Sequence, residues 1–371
     1  MGHDVIVVGC GGVGGATLYH LARRGVRVLG LDRFAPGHDR GSSHGRTRII
    51  RLAYFEHPDY VPLLRRAYEL WEQLSDEAGH ALLTRTGLLQ VGPPDGEVVP
   101  GVLRSAERHG LAVERFDVDE ARAAFPMFRF DDGEVAVHEH DAGILHVEAC
   151  VTAHAGLAEH HGAELRTGVA VHGLDATSNG VVVRTDDGVF EADRVVVAAG
   201  AWSAGLLGQF GVPLQVLRKH VHWFADEACA YRATNTPTFL FERPGGIFYG
   251  FPAVDDLGVK VAEHTGGTVI EDPGAMGRAD DPVALQRTAA FAKARLADLG
   301  PRVTRHEACM YTMTPDSHFV VDEHPGLPGV VFAAGLSGHG FKFAPVLGEA
   351  LADLATTGGT GLPVEFLRIP R

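Results

Sequence analysis

The chain has 371 residues, 45% hydrophobic and 22% charged, with a formal net charge of −14. This is ordinary globular composition, enough for a large core, and the length suggests two domains or one elaborated domain. The acidic balance argues against nucleic acid and anionic membrane as main partners, and no run of about 18 apolar residues suggests a membrane span.

The first element is a short β-branched run, Asp4–Val8, read as a buried parallel strand rather than a signal peptide because it lacks a basic leader and runs into glycines. A helix is expected over Gly12–Arg24, with Leu18, Leu21 and Ala22 on one face and Gly25 to end it. A second strand follows at Arg27–Leu31, then a long amphipathic helix over Asp59–Glu77, a strand over 85–92 and a helix near Val98–His109. Glu148–His161 reads as a helix. Short strands are expected at Gly168–Leu174, Val181–Thr185 and Arg194–Ala199. Residues 215–265 alternate strand-like stretches with turns and predict an antiparallel sheet. A helix over Pro282–Leu299, a strand at Val330–Ala334 and a helix from about Ala344 to Thr356 close the chain.

The strongest motif is Gly9-Cys10-Gly11-Gly12-Val13-Gly14, lying between a predicted strand and a predicted helix. Gly9 permits the tight turn, Gly11 lets backbone approach a pyrophosphate, and Gly14 allows close helix–strand packing. The helix N-terminus offers free N–H groups to phosphate. Asp32, at the end of the second strand, is placed to accept from ribose hydroxyls. The motif does not separate NAD from FAD. The stretch Ala192–Trp202, a strand ending in small residues, gives room for a large cofactor beside Gly200 and Trp202.

Directly after the nucleotide unit comes Gly41-Ser42-Ser43-His44-Gly45-Arg46-Thr47-Arg48-Ile49-Ile50-Arg51. Its small and hydroxyl residues can wrap a phosphate or ribityl chain, and its arginines form a local cationic site in an acidic protein. Ser337-Gly338-His339-Gly340-Phe341-Lys342-Phe343 precedes the last helix, where glycines admit a flat ring and Lys342 favours negative charge. The cysteines Cys10, Cys150, Cys229 and Cys309 are scattered, which suits a reducing cytosol and argues against disulfides. Among 21 histidines there is no H-E-x-x-H. His220-x-His222 shares a strand face but has no third ligand in the sequence, so no metal is expected.

Together these stretches resemble the monomeric sarcosine oxidase family of FAD amine oxidases, which includes N-methyltryptophan oxidase and pipecolate oxidase. The resemblance runs nearly the whole chain. Its most specific parts are Ser42-Ser43-His44-Gly45-x-Thr47-Arg48, Tyr249-Gly250-Phe251-Pro252, Cys309-Met310-Tyr311-Thr312 and Ser337-Gly338-His339-Gly340-Phe341-Lys342. It implies FAD bound by the glycine loop, Asp32, Arg33, Ser42, Ser43, Thr47, Arg48, Val171, Gly200, Trp202, Met310 and the 338–342 segment, with Cys309 as the covalent attachment point. It implies Lys260 as the oxygen-activating lysine, His264 and Tyr249 around the substrate, Arg48 as a cation near the flavin face, and Arg51 with Lys342 gripping a substrate carboxylate. Leu240 stands in the pocket-lining stretch Phe239-Leu240-Phe241, which is not diagnostic of any one amine. Arg46 departs from the family, whose familiar members have Asp there. It is expected to add positive charge at the pocket entrance.

The expected fold is α/β: a Rossmann-like FAD domain from residues 1–80, 145–214 and 308–371, and an α+β substrate domain from 81–144 and 215–307 on a mixed, largely antiparallel sheet. The expected activity is oxidation of a secondary amine, sarcosine or another N-methyl amino acid, to an imine with hydrogen peroxide. Partners are the amine and molecular oxygen, acting on a cytoplasmic monomer. Alternatives are oxidation of cyclic imino acids such as proline or pipecolate, a flavin dehydrogenase with another acceptor, and a nucleotide-binding protein without turnover.

Overall fold

The computed structural model describes residues 2–369. In chain order the strands and helices are β1 (His3–Val8), α1 (Gly12–Arg23), β2 (Val28–Asp32), β3 (Thr47–Ile50), α2 (Val61–Ala78), β4 (Leu83–Arg85), β5 (Leu88–Gly92), α3 (Val98–His109), β6 (Glu114–Phe116), α4 (Val118–Ala124), β7 (Val135–Glu139), β8 (Gly143–His146) and α5 (Val147–His160). They continue with β9 (Glu164–Thr167), β10 (Val171–Thr177), β11 (Gly180–Thr185), β12 (Gly188–Val197), α6 (Ser203–Leu207), β13 (Gln215–Phe224), β14 (Thr238–Arg243), β15 (Gly246–Phe251), β16 (Val259–Glu263), β17 (Thr268–Ile270), α7 (Pro282–Arg295), β18 (Val303–Met313), β19 (Val320–Glu323), β20 (Val330–Ala334) and α8 (Ala344–Thr357).

The first sheet has β12, β1, β2 and β9 side by side and parallel, with β20 parallel to the end of β12. β10 and β11 extend it as an antiparallel hairpin. The expected glycine turn joins β1 to α1. Gly9 has φ +84°, and a Cβ on Gly14 would lie 1.7 Å from the Gly9 carbonyl oxygen, so no larger residue fits there. Helix α1 is buried along nearly its whole length. It meets α8 where Gly348 lies against Ala16; a Cβ at 348 would come within 2.6 Å of the Ala16 methyl.

The second sheet runs β17-β13-β16-β15-β14-β5-β7-β6, with β18 also paired to β13. It is antiparallel except where β14 joins β5. Strand alternation divides its residues. One face carries Phe224, Phe239, Phe241, Phe248 and Val261, packed with Phe291 of α7 into an apolar core. The other face carries Leu240, Tyr249, Lys260, Trp223, Cys309 and Tyr311; cross-strand pairs Leu240–Tyr249, Phe251–Lys260, Trp223–Lys260 and Lys219–Cys309 fix the register. β18 crosses the expected boundary at residue 308 and stays in this sheet to Met313. A small sheet, β3-β8-β4, lies apart from these two.

Some elements differ from expectation. The segment 47–50, for which no element was expected, is a strand paired with β8. Residues 85–92 split into β4 and β5 around Gly87, whose φ is +70°. Helix α7 stops at Arg295, four residues early, because Leu296 turns to extended backbone and bridges to Phe128, while the Arg295 guanidinium is anchored on Glu134 at 2.8 Å.

Candidate active site

A cavity of about 450 Å³ runs from the first sheet to the second. At one end its wall is Gly9, Gly11, Gly12, Val13, Asp32, Arg33, Val171, Gly200 and Trp202. Ser42, Ser43 and Arg48 line the middle. Leu240, Tyr249, His264, Met310, Arg51 and the run Gly338–Lys342 line the other end. The sequence thus identifies most of the wall, though it separates these residues by hundreds of positions.

The nucleotide end is shaped for a pyrophosphate. Gly11 has only Ser43 Oγ near its missing Cβ, at 3.6 Å, so its backbone is open to the cavity. Ser43 Oγ accepts from the Gly12 N–H at 3.2 Å. Asp32 is aimed by backbone: its carboxylate accepts from Cys10 N at 2.6 Å and Phe34 N at 2.8 Å, leaving lone pairs for ribose hydroxyls. Gly14 is behind the wall, where it serves the packing of α1.

At the far end two basic residues, Arg51 and Lys342, and the Glu56 carboxylate are concentrated. Arg51 and Lys342 are 3% and 4% exposed. Arg51 Nη2 donates to both Glu56 oxygens, at 2.7 and 2.6 Å, and Glu56 itself lines the cavity. Arg51, expected with Lys342 to grip a substrate carboxylate, already has a counter-ion here, while its Nε is buried without a partner. Facing this guanidinium, Glu56 titrates low, near 2, against the upward pull of its own burial. Lys342 Nζ donates to the His339 carbonyl at 2.6 Å and to Tyr54 Oη at 3.5 Å, and burial pushes its pKa well below the usual lysine range. Trp71 braces this segment by donating Nε1–H to the Lys342 carbonyl at 2.9 Å.

His264 lies one residue beyond β16, and its N–H continues the ladder to the Ile247 carbonyl. Its Nδ1 is 3.5 Å from Tyr311 Oη. Burial takes its pKa down to about 4, so the ring is neutral near pH 7. Lys219, absent from the sequence-derived candidates, holds this corner: its Nζ donates to the carbonyls of His264, Thr265 and Gly266 at 3.1, 2.6 and 2.9 Å. Alternation in β13 puts Lys219 on the cavity face, but only the register brings it to 264–266.

Three of the expected residues, Lys260, Cys309 and Arg46, are not part of the cavity wall. Lys260 and His264 share a sheet face, but only His264 bounds the cavity. Lys260 is 2% exposed and donates to Gly45 O at 2.7 Å, Thr47 O at 3.0 Å and Thr47 Oγ1 at 3.3 Å, so Thr47 also sits behind the wall. Cys309 is buried among Val221, Trp223 and Ala262, against Tyr249, and does not face the cavity. Burial raises its pKa, opposed by Arg48, Lys260 and Lys219. Arg46 does not add free charge to the entrance. It is exposed, with φ 68°; its N–H donates to Glu148, and its side chain pairs with Asp255 at 2.8 Å, tying the 41–47 loop to the β15–β16 turn.

Residues 4–354 match the family model described as FAD dependent oxidoreductase. The chain belongs to this family. It is 42% identical to monomeric sarcosine oxidase of Streptomyces avermitilis, covering 98% of this chain and 96% of that protein. It is 37% identical to N-methyl-L-tryptophan oxidase of Salmonella typhimurium, covering 96% and 95%. Among solved structures, the open form of NikD, an amino acid oxidase of nikkomycin biosynthesis, superposes with a TM-score of 0.88 at 26% identity, covering 99% and 97%. That last pairing is of the Tyr258Phe form; the unmutated open form gives 0.87. Membership makes the cavity's ligand FAD. The residues present fit it: an open glycine turn for pyrophosphate and an acidic strand end for ribose.

Proposed function

We propose that this chain oxidises secondary amines that carry a carboxylate, with sarcosine and other N-methyl amino acids as the substrate class, and passes electrons to oxygen. The observation that carries this reading is the cationic end of the cavity. Both Arg51 and Lys342 are buried there; Arg51 is bonded to Glu56, and no carboxylate is hydrogen-bonded to Lys342 among the described residues. A substrate carboxylate completes that charge balance, since buried charge is stable only when paired.

Bound FAD supplies the oxidising chemistry, accepting hydride from the carbon next to nitrogen and returning the electrons to oxygen as hydrogen peroxide. The protein's own groups do the rest. Lys342 and Arg51 hold the carboxylate, which fixes the amine end toward His264, Tyr249 and Tyr311. Neutral His264 adds no repulsion against a cationic amine. The aromatic rings exclude water from the reacting carbon.

A second reading is favoured by one observation. All three Lys260 hydrogen bonds are to the 45–47 loop, behind the wall, which suits a structural lysine and an electron acceptor other than oxygen. Anaerobic titration of the yellow protein with sarcosine, N-methyltryptophan, proline and pipecolate tests the substrate class. Bleaching by an N-methyl amino acid is expected. Bleaching by none of them overturns the reading, and peroxide yield in air separates oxidase from dehydrogenase.

A further inference from the structure

On β13 the residues between the cavity-facing ones, His220 and His222, point to the opposite side of the sheet. There β18 places His306 directly across from His222. Asp280, on the segment leading into α7, meets them from above. His220 Nδ1 is 2.8 Å from His306 Nε2; His222 Nε2 is 2.9 Å from Asp280 Oδ1, and His306 Nε2 is 3.5 Å from the same oxygen. One donor atom from each of His220, Asp280 and His306 falls within 4.8 Å of the others.

We propose that His220, His306 and Asp280, with a water as fourth ligand, form a binding site for one divalent transition ion of the zinc class, on the face of the sheet away from the cavity. Two imidazoles and one carboxylate, with a water in the open fourth position, are a borderline-soft, tetrahedral donor set, suited to zinc and unsuited to calcium or magnesium, which take oxygen ligands. Hydrogen bonding alone satisfies this cluster poorly. Two ring nitrogens face each other at 2.8 Å and need a single proton between them. His220, only 8% exposed, also has a buried Nε2 with no partner. A zinc ion would need those two nitrogens to separate to roughly 3.3 Å, which metal–nitrogen bonds of ~2.0 Å require in a tetrahedron, a shift of about half an ångström. His222, its ring oriented by Thr288 Oγ1 at 2.9 Å from Nδ1, holds Asp280 Oδ1 from its Nε2 at 2.9 Å, as an outer partner orients a ligand carboxylate. The Asp280 side chain is 36% exposed and gives the ion its way in.

The ion would join β13, β18 and the lead into α7. Because Lys219 and Cys309 are cross-strand partners on the opposite face of the same two strands, occupancy would stiffen the rear of the active site without touching substrate.

The test uses zinc sulfate on the purified holoenzyme, followed by dialysis against metal-free buffer and elemental analysis. The trio Glu114, His138 and His140, two of them exposed, is a second place where zinc can adhere, so His140→Asn is included. The expected result is one zinc retained per chain, with a raised Tm, in both wild type and His140→Asn, and its loss in His306→Asn with the flavin spectrum intact. No retained zinc in wild type, loss in His140→Asn, or full retention in His306→Asn overturns the proposal. Should His306→Asn not fold, cobalt(II) added to His140→Asn decides alone: intense tetrahedral bands to the red of the flavin support the site, and their absence overturns it.

Discussion

Arg51 and Glu56 face each other within the cavity wall, the guanidinium donating to both carboxylate oxygens at 2.7 and 2.6 Å. A substrate carboxylate must therefore share or displace Glu56. Glu56→Gln removes the competitor and leaves a hydrogen-bond acceptor. Expected are tighter binding of a carboxylate inhibitor, by about tenfold for ~1.4 kcal/mol of lost competition, and a lower Tm, since a buried arginine has lost its counter-ion. Arg51→Ala and Lys342→Ala should each weaken that inhibitor by about 10- to 150-fold, the scale of one charge-assisted hydrogen bond. Spectral titration measures all three. Unchanged inhibitor affinity in Lys342→Ala removes Lys342 from the carboxylate site.

Covalent attachment of flavin through Cys309 requires a nucleophilic sulfur, and Arg48, Lys260 and Lys219 all favour the thiolate there. The other buried cysteines, Cys10 and Cys150, have no such company: Asp32 raises the first and Glu148 the second. Acid-precipitated wild type should keep its yellow colour in the pellet, and Cys309→Ala should release it. A colourless pellet from flavin-replete wild type would falsify the linkage.

The oxygen role of Lys260 has a pH signature. Burial, reinforced by Arg48, takes its pKa down to about 7. Below that pH the ammonium is charged and stabilises the negative charge that develops on oxygen; above it the charge is lost. Reoxidation of reduced flavin should then slow as pH rises through about 7. Lys260→Met should be slow throughout, and Lys260→Arg should lose the pH dependence, because arginine stays charged. Stopped-flow reoxidation at the wild-type rate in Lys260→Met would favour the dehydrogenase reading.

Acid stability should be limited by buried histidines. His154 is 1% exposed, lies between Tyr19 and Trp71, has no hydrogen-bond partner on either nitrogen, and is pushed down by burial to about 3. An unfolded histidine titrates near 6.5, so below that pH the unfolded chain binds a proton that the folded chain refuses. Stability is full above about 6.5 and falls as pH drops toward 3. His154→Leu should flatten that acid limb. If Tm falls between pH 6.5 and 4.5 as steeply in the variant as in wild type, His154 is not the cause.

Local sterics made the nucleotide end legible from sequence. Gly9 is demanded by its own backbone, at φ +84°, and Gly14 by the Gly9 carbonyl five residues back, so their spacing announces the turn before any tertiary contact is known. Strand alternation likewise shows which residues of β13 and β16 share a face. It does not show what they meet. Lys260 was expected in the cavity with His264, yet its ammonium turns to the carbonyls of Gly45 and Thr47, more than 200 residues away in sequence. The sequence did not show that Glu56 pairs with Arg51, because Glu56 reaches it only through the course of an irregular segment. His220 and His222 lacked further ligands until the β13–β18 register brought His306 alongside and the segment before α7 added Asp280. Periodicity within one element fixes a side chain's face, because it follows from backbone geometry alone. The partner on that face depends on register between distant strands and on the path of the loops, and those are decided only when the whole core packs.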